Sequence, residues 1–379
     1  MQLAHLYIYN FLKNLNFFGA VAVAYFLDWG GVDFTKAFIL EAFFVLSVVA
    51  LEIPTGVIAD KFGRKISLFL GTVCAALGFA LFGMTRSYGL FFVADAICAA
   101  GLSLMSGADR ALLYDIVVAH GKQSNARHIL SRYEAFGTAG ILISFPLGSM
   151  IVGSGLVPYP ESLGFTFSLA AISSLLASAL IWGVHEPPRK EKVTHALKEG
   201  IAGVRFLIRK GPVRSYGFNF ALVSAATFFV FWLYQPIVKA CGMPIGANGW
   251  VSAGFNFCGL LLLWNAGWIE RWFTLSRILF WSSLLPGLGF LLLGAAWGNW
   301  AISLPLIFLI VGLKLLRGPL LSDLINQVIE SRNRATVLSG ISMAERAITF
   351  LLYPVVGLLA DRSLPLTLGF LGVVTILFG

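Results

Sequence analysis

The sequence predicts an all-α membrane protein that crosses the bilayer twelve times, with its helices arranged in two halves of six. Three observations support this fold class: the hydropathy of the chain, the distribution of its charges and an internal repeat. Of the 379 residues, 58% are hydrophobic and 12% are charged, whereas about 25% are charged in an ordinary soluble domain. A membrane span needs roughly 20 apolar residues. The apolar segments lie at 5–28, 36–59, 65–85, 88–113, 127–153, 163–185, 213–238, 247–268, 276–297, 300–322, 334–357 and 364–379.

The final segment, 364–379, is the shortest of the twelve. A helix of about 15 residues extends about 22 Å, which is less than the roughly 30 Å of the hydrocarbon core. We therefore expect the twelfth helix to be truncated in this sequence.

The basic charge is distributed unevenly across the predicted membrane. With the N-terminus placed inside, four of the 27 Lys and Arg residues fall in outward loops and six fall within helices, and the rest fall in inward loops. The outward ones are Lys36, Arg86, Lys239 and Arg362. Because inward loops of membrane proteins are enriched in Lys and Arg, we expect both termini in the cytoplasm. The net charge of +9 thus reflects topology, and we expect no nucleic-acid partner.

The second half of the chain repeats the first at an offset of 208 residues. Three pairs share this register: Leu112-Leu113-Tyr114-Asp115 with Leu320-Leu321-Ser322-Asp323, Leu130-Ser131 with Leu338-Ser339, and Pro146 with Pro354. Asn10-Phe11 and Asn219-Phe220 correspond at 209. Two similar halves suit a transporter, since a site between them can open alternately to either side. Channels and inert scaffolds are the alternatives for a duplicated bundle.

The repeat and the charges predict three regions: a six-helix bundle over 1–185, a cytoplasmic linker over 186–212 and a second six-helix bundle over 213–379. Apolar residues recur at helical spacing within the linker, at Leu197, Ile201, Val204 and Ile208. This pattern indicates an amphipathic helix. It either lies on the anionic inner leaflet or serves as a solvated connector.

The most specific motif is a short charged turn between the second and third predicted helices. Residues 51–70 read LEIPTGVIADKFGRKISLFL, and Gly63 provides the backbone freedom that so short a connection needs. This stretch resembles the loop between the second and third helices of the major facilitator superfamily, whose pattern is Gly, any, Leu, Ala, Asp, Arg, any, Gly, Arg, Lys. The matching residues are Gly56, Ala59, Asp60, Gly63, Arg64 and Lys65, and the departures are Ile58 and Lys61. The preceding Glu52, Pro54 and Thr55 resemble a Glu-any-Pro-Thr-Gly variant of bacterial members.

The resemblance implies a conformational latch at the inner membrane surface. Its residues are Asp60, Arg64 and Asp115, together with Gly56 and Gly63 in the turn. Asp60 is placed to accept hydrogen bonds from a neighbouring helix N-terminus, and Arg64 to pair with Asp115 at the inner end of the fourth helix. Asp323 is the repeat-related counterpart of Asp115. In the alternative interpretation these are ordinary topology charges.

Ionisable residues inside the membrane are costly, and each is a functional hypothesis. Asp95 is our first candidate for proton coupling, followed by Glu52 and Asp109. Asp95 lies near the outer end of the fourth helix, where drug/proton antiporters of the superfamily carry an arginine. The reversed charge argues against a standard drug-antiporter assignment.

The resemblance also implies that helices one, four, seven and ten line a central cavity. Those helices carry four cations and two carboxylates, which indicates an anionic group on the solute. The cations are Lys13, Arg110, Lys314 and Arg317, and the carboxylates are Asp95 and Asp109. The candidate cavity residues are Lys13, Arg110, Arg132, Asn219, Lys314 and Arg317. Lys13, Asp109 and Arg132 each lie about 10 Å from the inner boundary, so we also expect a neutralised polar layer there. The alternative is a structural ion-pair network.

Enzyme chemistry is not expected. The five histidines and four cysteines show no metal-ligand spacing, and no nucleophile elbow or phosphate-binding loop is present. We expect no catalytic residues, bound metal or cofactor. The sequence predicts a monomeric secondary transporter of the plasma (inner) membrane that exports a small organic solute in exchange for protons. The alternatives are proton-coupled uptake of an anionic nutrient or metal chelate, and a non-transporting receptor or scaffold.

Overall fold

A computed structural model describes residues 2–121, 123–188, 203–204, 211–265, 267, 275–328 and 331–377. Nearly all of these residues are helical, and strands are absent from the described ranges. Helices satisfy their backbone hydrogen bonds internally, as lipid requires. The all-α fold class is therefore confirmed.

The first six predicted spans are formed by seven longer helices. They are α1 (Gln2–Lys13), α2 (Phe34–Phe62), α3 (Arg64–Met84), α4 (Tyr88–Met105), α5 (Ala108–Ala119), α6 (Ala126–Gly153) and α7 (Glu161–Trp182). Short helical turns over 19–29 continue the first span beyond α1. The fourth span is broken between α4 and α5 at Gly107, whose φ of +73° lies in the left-handed region that glycine tolerates.

The last six spans are formed by seven further helices. They are α8 (Gly211–Phe228), α9 (Val230–Ala240), α10 (Ala247–Trp264), α11 (Leu275–Ala295), α12 (Trp300–Val328), α13 (Ser331–Arg362) and α14 (Leu364–Leu377). Among the described residues, nine helices are long and apolar enough to cross a membrane, and two shorter apolar helices cover 19–29 and 364–377. Each of the twelve predicted segments thus contains helix. Residues 189–202 and 205–210 of the predicted linker helix, and the side chain of Asp323, lie outside the described residues.

The chain forms two compact units. The first comprises Met1–Val32 and Phe43–His195, and the second comprises Asp33–Ala42 and Ala196–Gly379. The second unit therefore includes a segment, Asp33–Ala42, that the predicted boundaries assign to the first bundle. The movement of 1–185 and 213–379 as two rigid bodies remains a prediction.

Two kinds of contact, between aromatic rings and through hydrogen bonds, explain why Asp33–Ala42 groups with the second unit. The Phe38 ring lies 5.9 Å from the Phe229 ring and 5.7 Å from the Tyr353 ring, between centroids. The Asp361 carboxylate accepts hydrogen bonds from the backbone N–H groups of Phe34 and Thr35 at 2.8 and 2.9 Å. Asp361 thereby satisfies two of the donors that the start of a helix leaves without intrahelical partners.

In the first unit, α6 packs closely on the first span through glycines. A Cβ atom on Gly140 would lie 2.6 Å from the carbonyl oxygen of Phe11, and one on Gly148 would lie 1.8 Å from that of Phe17. Backbone carbonyls cannot move aside as a flexible side chain can. The immediate role of these two glycines is therefore close helix packing.

Gly148→Ala is therefore expected to destabilise the protein by about 3 kcal/mol, the upper end of the usual cost of overpacking. Gly369→Ala is a matched control, because a Cβ at this position on α14 meets nothing within 4 Å. The control is expected to be neutral or to stabilise by up to about 1 kcal/mol, since alanine is the better helix former. Thermal unfolding of the purified protein in detergent measures both. Equal stability of the two variants would contradict the packing argument.

Candidate functional site

The first unit contains a partly buried ion pair between Lys13 and Asp109. Lys13 Nζ lies 2.6 Å from Asp109 Oδ2, and the side chains are 13% and 17% exposed. The Tyr133 hydroxyl donates to the same oxygen at 3.2 Å and accepts from Lys13 Nζ at 3.4 Å. The ammonium also lies 5.3 Å from the Tyr9 ring centroid. These groups form a nearly enclosed, charge-neutral set, which we call the Lys13–Asp109 cluster.

The helices place each member of the cluster for a local reason. Lys13 is the last residue of α1, and Asp109 lies in the first turn of α5, where the helix dipole favours a carboxylate. Asn10 Nδ2 donates to the Tyr133 carbonyl oxygen at 2.6 Å and so ties α1 to α6. Gly137 permits this approach, since a Cβ there would lie 2.7 Å from Asn10 Nδ2.

The predicted polar layer needs one correction. We expected Arg132 to join Lys13 and Asp109, but Arg132 is exposed and the adjacent Tyr133 is buried. Neighbouring positions on a helix point about 100° apart, so α6 directs only one of the two towards α1. The glycines of α6 are the signal that could have identified Tyr133, because Tyr133, Gly137 and Gly140 are spaced four and three residues apart and share one helix face.

Arg110 pairs with Glu134 on the exposed side of α5. The Arg110 Nε atom lies 2.8 Å from Glu134 Oε1, and these side chains are 67% and 52% exposed. Two of the four cations counted above, Lys13 and Arg110, thus have carboxylate partners within the first unit. The number of cations on the predicted cavity helices therefore no longer indicates an anionic solute by itself.

Asp95 lies apart from the Lys13–Asp109 cluster. It is buried on α4 and interacts electrostatically with Tyr25 in the first span. Asp109 lies on α5, beyond the break in the fourth span at Gly107. Glu52 is half-buried on α2. The three proton-coupling candidates therefore lie on three different helices: Glu52 on α2, Asp95 on α4 and Asp109 on α5.

At the turn between α2 and α3, Arg64 at the start of α3 pairs with Asp115 on α5 through Arg64 Nη1 and Asp115 Oδ2. Both side chains are at least partly buried. Asp60, in the last turns of α2, is exposed. The geometry joins Arg64 to Asp115 as expected, and the role of these residues as a conformational latch stays a prediction.

Sequence reasoning missed Glu186, which it assigned only to the linker. Glu186 Oε1 accepts from the backbone N–H of Arg64 at 2.8 Å, and Oε2 accepts from that of Lys65 at 2.9 Å. Glu186 thereby caps the N-terminus of α3. Gly63 has a φ of +106°, and a Cβ there would lie 2.7 Å from Glu186 Oε2. A lone acidic residue between the sixth span and Pro187-Pro188 was the available signal.

In the second unit, Arg317 on α12 is fully buried. Its Nη1 atom donates to Ser282 Oγ at 2.9 Å and to Ser283 Oγ at 2.7 Å, and its Nη2 atom donates to Asn219 Oδ1 at 2.9 Å. Three helices, α8, α11 and α12, meet at this guanidinium. The predicted residues Arg317 and Asn219 are therefore in direct contact.

Lys314 lies one helical turn before Arg317 and is half-buried. Its ammonium lies 5.9 Å from the ring centroids of both Phe228 and Phe231. Glu345 on α13 attracts it electrostatically. Lys314 thus lies beside two aromatic rings, with a carboxylate nearby.

Comparison with known proteins identifies the family. Residues 6–353 match the model of the Major Facilitator Superfamily. The chain belongs to this superfamily. A glucose/galactose transporter of Brucella abortus is 24% identical over 218 residues, which cover 55% of this chain and 52% of that protein. The chain thus spans about half the length of this curated relative.

Solved superfamily structures share the fold. The nucleoside transporter NupG superposes with a TM-score of 0.81 at 13% identity, covering 100% of this chain and 97% of that chain. A D-xylose–proton symporter superposes with a TM-score of 0.73 at 15% identity, covering 99% and 95%. These likenesses show the fold alone. Membership in the superfamily, together with the nine long apolar helices of the described residues, shows a multi-pass membrane protein.

The internal repeat relates the Lys13–Asp109 cluster of the first unit to the hydrogen-bonded Arg317 of the second unit. Arg317 stands 208 residues after Asp109, and Asn219 stands 209 after Asn10, so equivalent positions carry opposite charges. Asp109 has an ammonium partner, whereas the hydrogen-bond partners of Arg317 are neutral oxygens. The two halves of this superfamily member are therefore chemically unequal at the same place in the fold.

Proposed function

We propose that this superfamily member is a secondary active transporter that moves a small organic solute by alternating access, coupled to protons. The observation that supports proton coupling is the Lys13–Asp109 cluster. In this cluster Asp109 Oδ2 accepts hydrogen bonds from both the Lys13 ammonium and the Tyr133 hydroxyl. Protonation of Asp109 removes its negative charge and weakens its hold on Lys13. A group that changes both its charge and its contacts on protonation is what coupling to a proton gradient requires.

Export is the proposed direction. Its support is the resemblance of Glu52, Pro54, Thr55 and Gly56 to the variant found in bacterial members that are presumed exporters. The departure at Asp95 from the drug-antiporter pattern favours a solute other than a standard cationic drug.

A second candidate is proton-coupled uptake of a sugar-sized solute. It is favoured by the similarity to a protein named as a glucose/galactose transporter and to a structure titled a D-xylose–proton symporter. Uptake of an anionic nutrient or metal chelate belongs to the same mechanistic class. A receptor or scaffold is distinguishable from both, since neutralising the buried charges would leave its function intact.

Reconstitution into liposomes that enclose a pH-sensitive dye tests the proposal. Anionic, neutral and cationic solutes are added outside, with and without an imposed pH gradient. A solute-dependent proton flux is expected, and its direction relative to solute movement separates antiport from symport. Solute movement that neither carries protons nor responds to the gradient would contradict proton coupling.

Asp109→Asn, Asp95→Asn and Glu52→Gln separate the three coupling candidates. An amide cannot carry the proton, so the variant at the coupling residue is expected to retain solute exchange and to lose its response to the pH gradient. We expect this result for Asp109→Asn or Asp95→Asn. Gradient responses that match the unmodified protein in all three variants would exclude these carboxylates as the coupling group.

For its cellular setting, we propose the plasma (inner) membrane, with both termini in the cytoplasm and a monomeric working unit. The support is the excess of Lys and Arg in the predicted inward loops. Accessibility of single cysteines placed at Lys61 and Arg86 tests the topology. Labelling of the Arg86 site from outside, but not of the Lys61 site, is the expected result.

A further inference from the structure

Among its described side chains, the second unit contains more positive than negative charge within its membrane spans. Between the ends of those spans, the described cations are Lys314, Arg317 and Arg346, and the described carboxylates are Glu41 and Glu345. Among the described side chains, no carboxylate lies within ion-pair distance of Lys314 or Arg317. In the first unit, by contrast, Lys13 and Arg110 each have a carboxylate partner.

The neutral groups around Arg317 do not compensate its charge. Its hydrogen-bond acceptors are two serine hydroxyls, the Asn219 amide oxygen and the Leu279 carbonyl oxygen. Its Nε atom is buried and has no hydrogen-bond partner among the described residues. The hydrogen bonds therefore hold the guanidinium in place and leave its positive potential acting on the neighbouring Lys314.

Both of the described carboxylates in these spans have other partners. Glu41 forms a hydrogen bond with Tyr353, and Glu345 is attracted by Arg346 as well as by Lys314. An uncompensated charge inside a membrane is energetically costly. A negative charge supplied from outside the protein would remove this cost.

We propose that Lys314 binds the carboxylate of a small monoanionic organic solute, with the Phe228 and Phe231 rings against the organic part of the solute. Arg317 is a positioning residue that strengthens the positive potential at Lys314 from one turn away. This inference rests on the proposed transport function and narrows its solute to an anion. Lys314 is partly exposed and is the residue that contacts the solute in this proposal, whereas the fully buried Arg317 acts through Lys314.

Matched pairs of probes test the inference on the purified full chain in detergent. Glucuronate, galacturonate and benzoate are compared with glucose, galactose and benzamide at constant ionic strength, and binding is read as a saturable rise in melting temperature. At least one carboxylate is expected to bind tenfold or more tightly than its neutral partner. The inference is overturned if no carboxylate raises the melting temperature, or if each neutral partner binds as tightly.

Variants at two positions assign the binding to these residues. Lys314→Gln is expected to weaken carboxylate binding at least tenfold. Arg317→Gln should weaken it less and Arg317→Lys should restore it, because lysine keeps the charge. Arg346→Gln is the control, since Arg346 is an exposed cation of the same unit, and it should bind normally. Unchanged binding in Lys314→Gln would overturn the inference even if Arg317→Gln fails to fold.

The liposome assay distinguishes failure of this inference from failure of the proposed function. If neutral sugars drive proton flux and the carboxylates neither bind nor drive it, the anion site is wrong and the transport proposal stands. If carboxylates bind through Lys314 and no probe drives proton flux, the site stands and proton coupling is wrong.

Discussion

Asp109→Lys is expected to abolish transport and to remove most of the folded protein, and adding Lys13→Asp is expected to restore folding. The single change places two ammonium groups where Lys13 Nζ and Asp109 Oδ2 now lie 2.6 Å apart. Breaking a buried ion pair costs about 3–5 kcal/mol, a large part of a total stability of about 5–15 kcal/mol. The double variant re-forms the pair with its polarity reversed. Fluorescence-detected size-exclusion chromatography of membrane extracts measures the folded fraction.

The neighbouring Arg110–Glu134 pair provides a matched control. Its members are exposed, and an exposed ion pair contributes only about 0–1 kcal/mol. Glu134→Lys is therefore expected to leave the folded fraction close to that of the unmodified protein. Equal losses in Asp109→Lys and Glu134→Lys, or no rescue in the double variant, would show that the Lys13–Asp109 pair is not what holds α1 to α5.

Arg64→Ala is expected to reduce transport at least tenfold while the protein is still expressed and folded. Arg64 is a direct partner of Asp115, and the proposed latch uses this pair to favour one conformation of the transporter. Losing such a coupling shifts a conformational equilibrium by about 1–3 kcal/mol, or about 5- to 150-fold. Solute exchange in proteoliposomes, normalised to the amount of folded protein, measures the effect. Asp60→Asn and Asp115→Asn are expected to lower transport in the same assay.

Lys65→Ala is the control for the latch. It removes a positive charge from the same turn and leaves Arg64 and Asp115 intact. The Lys65 ammonium lies 5.2 Å from the centroid of the Trp182 ring. A cation–π contact of this kind contributes about 0.5–1 kcal/mol at an exposed site. Transport close to normal is therefore expected. Full activity in both Arg64→Ala and Asp60→Asn would eliminate the latch.

The sequence alone predicted the fold class, the number of spans and the superfamily. Span prediction succeeds because the cost of exposing polar groups to lipid accumulates along a local stretch of chain. The turn at 52–65 identified the superfamily because its charges and glycines occupy fixed places between two apolar segments. The pairing of Arg64 with Asp115 could also be anticipated, since both residues lie at span ends whose depth the hydropathy determines.

The contacts between helices required the tertiary structure. Hydropathy determines the depth of a residue, but it does not determine how each helix is rotated about its axis, and rotation decides whether Tyr133 or Arg132 faces Lys13. Rotation likewise places Arg317 against Ser282, Ser283 and Asn219. Glu186 caps α3 only because the end of the sixth span folds back beside the start of the third, which no local pattern encodes. The sequence by itself thus determined which residues lie in the membrane, and the packing of helices on one another determined which of their charges are paired.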